Sequence, residues 1–207
     1  MADWDADSAQ LRRNLASVRQ AIVESANRRE KPSLELVREW HRQIMEGLDV
    51  PDAAYVGRFR GEPGVHVDVS IGAADGVAYR EVKTQLEDFE KRLQSIVAAL
   101  DDQHPPSTRL DPDTIAAVAD LAGWAHAEWV RIHPFANGNG RTARMWANFL
   151  LQRFALPPVM RLRPRPQGDY AAAGARAMAG DWEPTARLIL RMLSALRPAG
   201  STTTRRG

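Results

Sequence analysis

The sequence predicts a mainly α-helical bundle carrying one small β-hairpin. Three patterns predict it. Apolar residues recur at helical spacing over most of the 207 residues. One short stretch alternates with a period of two, and prolines or N-capping residues separate the periodic runs. The length suggests a single domain, 1–207, and a hydrophobic fraction of 44% can fill one core.

Residues 9–30 read as a polar helix with a thin stripe of Leu11, Leu15, Val18 and Ile22. The run Arg28 to Pro32 ends it. Ser33 then supplies an N-cap for a helix whose face carries Leu36, Trp40, Ile44 and Leu48. Val65, Val67, Val69 and Ile71 alternate with His66, Asp68 and Ser70, which predicts a half-exposed strand. The segment 72–76 reads as a turn, with Val77 and Tyr79 opening a return strand. Helical spacing resumes with Val82, Leu86, Phe89, Leu93, Ile96 and Leu100. A polar loop (101–110) follows, and Asp111-Pro112 provides an N-cap and a proline at the first helical position. That helix extends through Ile115, Val118, Leu121, Ala122, Ala125 and Trp129 to about Arg131. A further helix is predicted from about Arg141 to Phe154, and two short ones at 169–179 and 182–196. The tail 200–207 is expected to be disordered.

Composition narrows the function classes. A formal net charge of +2 does not mark a nucleic-acid binder. The absence of cysteine excludes a disulfide framework and thiolate chemistry. No run approaches the roughly 20 apolar residues of a membrane span. The first seven residues are acidic where a secretory signal would be basic. The expectation is a soluble, cytoplasmic protein with neither nucleic acid nor membrane as partner.

The densest chemistry lies in His-Pro-Phe-Ala-Asn-Gly-Asn-Gly-Arg-Thr-Ala-Arg, residues 133–144. Gly138 and Gly140 allow successive amides to turn inward as an anion-binding hollow. The helix that follows adds the positive end of its dipole. Arg141 and Arg144, three apart, share a helix face and offer planar forks suited to phosphate. His133 stands at the opposite lip, where an imidazole can take a proton near neutral pH. Taken singly these features are ordinary turns, caps and solvated charges. Their order within twelve residues points to a polyphosphate cradle.

The string resembles the signature of the Fic family, His-x-Phe-x-(Asp/Glu)-Gly-Asn-Gly-Arg-x-x-Arg, and departs from it only at Asn137. "LVREWHRQIMEGL", "GRFR", "VDVSIG", "VRIHPF" and "DYAAAGARAMAGDW" also resemble Fic landmarks in the right order, over roughly residues 34–196. The resemblance implies a Fic-type helical bundle that transfers AMP from ATP to a Ser, Thr or Tyr hydroxyl of a target protein. It makes His133 the general base and Phe135 the residue that packs the loop into the core. Gly138, Asn139 and Gly140 become the anion hole, with the Asn139 side-chain amide taking part. Arg141 would contact the β- and γ-phosphates, and Arg144 would hold the γ-phosphate. Val69, Ser70 and Ile71 become a flap that pins the target segment.

In the family an acid at position 137 binds Mg²⁺, whereas Asn137 offers only a neutral carbonyl, which implies a weaker or altered metal dependence. Doc-like kinases tolerate Asn there but carry Lys where this chain has Gly140, so Gly140 favours nucleotidyl over phosphoryl transfer. The family is often restrained by a helix glutamate that pairs with the second signature arginine. Glu24 is the candidate here, although its surroundings match the usual motif poorly. Restraint by a separate antitoxin-like partner is the alternative. Three further readings stay open: a non-catalytic nucleotide-binding module, an enzyme transferring UMP or GMP, and assembly as a homo-oligomer.

Overall fold

The computed structural model describes residues 7–72, 74–106 and 110–196. The expected disordered tail lies outside the described residues. Among these residues run seven α-helices and one antiparallel strand pair. The helices are α1 (Ala9–Asn27), α2 (Leu34–Met45), α3 (Val82–Gln103), α4 (Pro112–Ile132), α5 (Asn139–Arg153), α6 (Tyr170–Met178) and α7 (Glu183–Ala195). The strands are β1 (Ser70–Ile71) and β2 (Ala74–Asp75).

Capping sets the helix starts. Ser8, Ser33 and Asp111 each accept a backbone N–H from three residues on: Leu11, Leu36 and Thr114. The α1 stripe predicted from spacing is buried throughout. α1 stops at Asn27, three residues early, because Arg29 turns left-handed at φ 49° and reaches away to Asp101. α3 buries Val97 rather than Ile96 and continues to Gln103, shortening the expected loop.

α5 is the central helix. Every residue from Arg141 to Leu151 is buried, so it has no solvated face. α4 packs along it and α1 closes another side. Their contact is lined by an aromatic cluster in which Trp129 and Trp146 stand edge-on at 5.9 Å, and Trp146 meets Trp40 at 5.3 Å. The Trp129 indole N–H donates to Thr142 Oγ at 2.8 Å, locking α4 to the first turn of α5.

The hairpin differs from its prediction. Ladder pairing is confined to Ser70 with Asp75 and Ile71 with Ala74, so the return strand falls inside the expected turn. Side chains take the polar groups that a longer ladder would need. Arg60 donates to the carbonyls of Val67 and Val77, at 3.2 and 2.6 Å, and the Asp68 carboxylate accepts the Tyr79 N–H at 2.8 Å. The valine alternation is real, but it places the segment against the core rather than into a sheet.

α4 and α7 approach closely at Gly123, where an added Cβ would lie 2.4 Å from the Ala186 Cα. Gly123→Ala should therefore force the helices apart and lower stability by about 1–3 kcal/mol, read from urea unfolding.

Candidate active site

The loop between α4 and α5 is held from three directions. Phe135 is fully buried and stacks on the His41 ring at 3.8 Å with planes 14° apart. His41 Nδ1 accepts the Gly57 N–H at 2.9 Å, so its Nε2 carries the proton and donates to the Asn137 carbonyl at 3.0 Å. Asn139 closes a two-bond ring with Phe135. Its Oδ1 accepts the Phe135 N–H and its amide donates to the Phe135 carbonyl, both at 2.8 Å. The Asn139 side chain thus staples the loop across Phe135.

His133 caps α4 in the left-handed region, φ 54°, a costly conformation for a residue with a Cβ. It is held there by Arg60 Nε, which donates to the His133 carbonyl at 2.7 Å. His133 Nδ1 lies 3.0 Å from the Val130 carbonyl, an acceptor only, so Nδ1 carries the proton. Nε2 keeps its lone pair. Burial pushes the His133 pKa below its ordinary value, and the Arg60 charge pushes the same way against the Val130 hydrogen bond. The ring is neutral at neutral pH.

Gly138 caps α5 at φ 83°, and a side chain there would collide with Met45. The first intrahelical bond of α5 runs from the Thr142 N–H to the Gly138 carbonyl. The amides of Asn139 and Gly140 precede it, at the positive helix end. Gly140 leaves space for Arg144, whose Nη1 would lie 3.2 Å from an added Cβ. Arg144 is buried and oriented by two acceptors, the Tyr170 hydroxyl at 3.0 Å and the Leu162 carbonyl at 2.8 Å. The Tyr170 hydroxyl in turn lies 2.9 Å from His126 Nε2. Arg141 is also buried, with Nη2 3.4 Å from Asn137 Oδ1.

These groups share one open cleft of about 1810 Å³. His133, the loop from Ala136 to Arg141, Arg144 and the hairpin residues Val69, Ser70 and Ile71 all line it. The structure does not bring Glu24 there. Glu24 is exposed and accepts from Gln20 at 2.9 Å, whereas Arg144 is engaged by Tyr170 and Leu162. The proposed Glu24–Arg144 brake is therefore corrected: α1 turns that glutamate to solvent.

The donor set does not suit a protein-held Mg²⁺. Asn137 Oδ1 accepts from the Gly138 N–H and faces the Arg141 guanidinium. Asp7 is the one carboxylate residue lining the cleft among the described residues, which hold no cluster of metal-ligating side chains. Mg²⁺ is usually held by one or two carboxylates together with substrate phosphates and waters, and position 137 supplies no carboxylate.

Sequence reasoning missed His41 and Arg60. Both lie inside stretches that resemble family landmarks, but no role attached to either, and only the fold brings Arg60 to residues 132–134. The signals present were "GRFR", which ends on Arg60, and the helical face holding Trp40 and Ile44, one residue before and three after the buried imidazole.

Residues 31–151 match the Fic/DOC family. The chain belongs to that family. It is 32% identical over 157 residues to the Caenorhabditis elegans protein adenylyltransferase fic-1, covering 76% of this chain and 26% of that protein. It is 38% identical over 81 residues to the Nematostella vectensis protein adenylyltransferase Fic, covering 39% of this chain and 18% of that protein. The chain thus spans about a quarter or less of these relatives' length. Among solved structures, C. elegans Fic-1 (residues 134–508) superposes with a TM-score of 0.62 at 24% identity, covering 91% of this chain and 51% of the other. Bartonella tribocorum BepC with bound AMPPNP gives a TM-score of 0.56 at 18% identity, covering 93% and 90%. Both share the fold of this Fic chain. No helix among the described residues is long and apolar enough to cross a membrane.

Two buried histidines tie this site to pH. Burial first, and nearby arginine charge second, lower the pKa of His41 and His126 to about 3. Between pH 6.5 and 3 the unfolded chain binds protons that these folded sites refuse. Stability present above the unfolded value is lost as pH falls through that window. Each imidazole contributes up to about 1.4 kcal/mol per pH unit. Urea midpoints should fall steadily from pH 7 to pH 4.5, and less steeply in His126→Gln.

Proposed function

We propose that this Fic chain is a protein adenylyltransferase, moving AMP from ATP to a Ser, Thr or Tyr hydroxyl of another protein. The observation that supports this reading most is the His133 ring. Its Nδ1 is committed to the Val130 carbonyl, so Nε2 is left as a base in the cleft that also holds the α5 N-terminus. In this reading the triphosphate lies along the α5 entrance, against the amides of Asn139 and Gly140 and the guanidinium groups of Arg141 and Arg144. The hairpin at Val69, Ser70 and Ile71 presents the target segment by adding it as a strand.

His133 Nε2 takes the proton of the target hydroxyl as its oxygen attacks the α-phosphorus. The bond to the β-phosphate oxygen breaks, and pyrophosphate leaves with its charge met by the arginines and the helix dipole. Mg²⁺, if it takes part, comes with the nucleotide, because Asn137 brings no charge to hold it. The reading takes the protein to be cytoplasmic, in keeping with a chain without cysteine. With Glu24 turned to solvent, any restraint comes from a separate, antitoxin-like partner.

His133→Ala should abolish label transfer from α-labelled ATP to co-incubated proteins while leaving ATP binding within about threefold. The wild-type rate should stay flat through pH 6.5 and fall only below it, because the folded pKa is depressed. ATP binding without transfer would instead favour a non-catalytic module, and transfer from UTP or GTP but not ATP would favour another nucleotide.

Asn137→Asp places a carboxylate beside the phosphates and should sharpen the dependence on Mg²⁺ by about tenfold in half-saturating metal. A metal titration of both proteins reads this directly. An unchanged response would show that position 137 does not touch the ion.

A further inference from the structure

The cleft continues past Arg144, and the groups that line its far end have no role in the reading above. The connector after α5 is pinned to that helix at two points. Asn148 binds both the N–H and the carbonyl of Met160, at 3.0 and 2.7 Å, and Arg144 binds the Leu162 carbonyl. Met160 and Leu162 are buried, and Arg161, Arg163 and Arg165 line the cleft along with them.

The opposite wall is α1. Arg12, Ala16 and Arg19 follow helical spacing and line the same cleft. The floor between the walls is the α5 face that carries Arg141, Arg144 and Asn148, again at helical spacing. Five arginines thus border a trough whose floor continues the phosphate loop. Asp7 shows that the trough attracts an anionic oxygen. Its carboxylate bridges the walls, 2.9 Å from Arg12 Nη2 and 3.7 Å from Arg163 Nε.

We propose that this trough is a second anion subsite, for a phosphate chain that extends beyond the third phosphate of the bound nucleotide. The inference rests on the placement of the terminal phosphate at Arg144. Asn148 lies one helical turn further along α5, about 6 Å, which leaves room for further phosphoryl groups. The chain has two sources, a nucleoside tetraphosphate or a separate inorganic polyphosphate abutting the nucleotide. A linear run of phosphates suits arginine forks on two facing walls, each able to bind two oxygens.

Calorimetric titration of the whole chain with ATP, adenosine 5′-tetraphosphate and inorganic tripolyphosphate tests this. The tetraphosphate should bind about tenfold more tightly than ATP, the effect of one added charge-assisted hydrogen bond. Arg161→Ala/Arg163→Ala should remove that preference while ATP affinity stays within about twofold. Asp7→Asn, which removes the competing carboxylate, should enlarge the preference. Tripolyphosphate that still binds under saturating ATP identifies the separate chain as occupant, and tripolyphosphate that ATP displaces identifies the continuous one. Equal affinity for ATP and the tetraphosphate overturns the proposal. So does an undiminished preference in the double variant, with its helicity verified by circular dichroism. Unchanged ATP binding in Arg144→Ala would overturn the placement of the terminal phosphate itself, a distinct failure.

Discussion

One buried guanidinium organises the end of this Fic chain that holds the candidate site. Arg60 is 1% exposed and donates to four backbone carbonyls: Val67, Val77, Ile132 and His133. Two belong to the segments flanking the hairpin and two to the end of α4. Its own N–H donates to the Pro134 carbonyl at 2.7 Å. A helix C-terminus collects partial negative charge on carbonyls that lack intrahelical partners, and a buried cation answers it. The Asp68 carboxylate, 3.6 Å away, offsets part of the desolvation. Without that cation the left-handed turn at His133 would lose its main support.

The second constraint is that the loop is rigid before any ligand arrives. Every side chain that holds it is satisfied internally: His41 between Gly57 and Asn137, Asn139 across Phe135, and Thr142 under Trp129. Phe135 and Trp129 anchor these contacts in the aromatic core. Preorganised donors stabilise developing charge without the cost of reorganising at the moment of reaction. The polar network and the core are thus one object, with α5 as its axis.

Electrostatics along the cleft is one-sided. Arginines line it from the loop to the connector, and burial first, with Arg144 and Arg60 charge respectively, lowers the pKa of the cleft histidines His126 and His133. A neutral His133 beside cations can accept a proton but resists keeping one. That suits the general-base role proposed for it. Asn137 keeps the loop itself free of negative charge, and Asp7 is the one carboxylate residue lining the cleft among the described residues.

How much of this was legible in the sequence follows from range. Helix spacing, the Ser33 and Asp111 caps, and the loop of His133 to Arg144 were readable, because each depends on neighbours within a few residues. The pairing of Asn139 with Phe135 is equally local, yet side-chain direction in a tight loop is not encoded by residue type, so it was not read from the sequence. Arg60 reaches 72 and 73 residues along the chain to Ile132 and His133, and His41 reaches 96 to Asn137. Only tertiary packing could bring these together, and only packing could turn Glu24 to solvent and shorten the hairpin. The sequence by itself determined which chemistry the loop can carry. The fold decided which groups hold that loop in place, because burial and long-range hydrogen bonds exist only once distant segments meet.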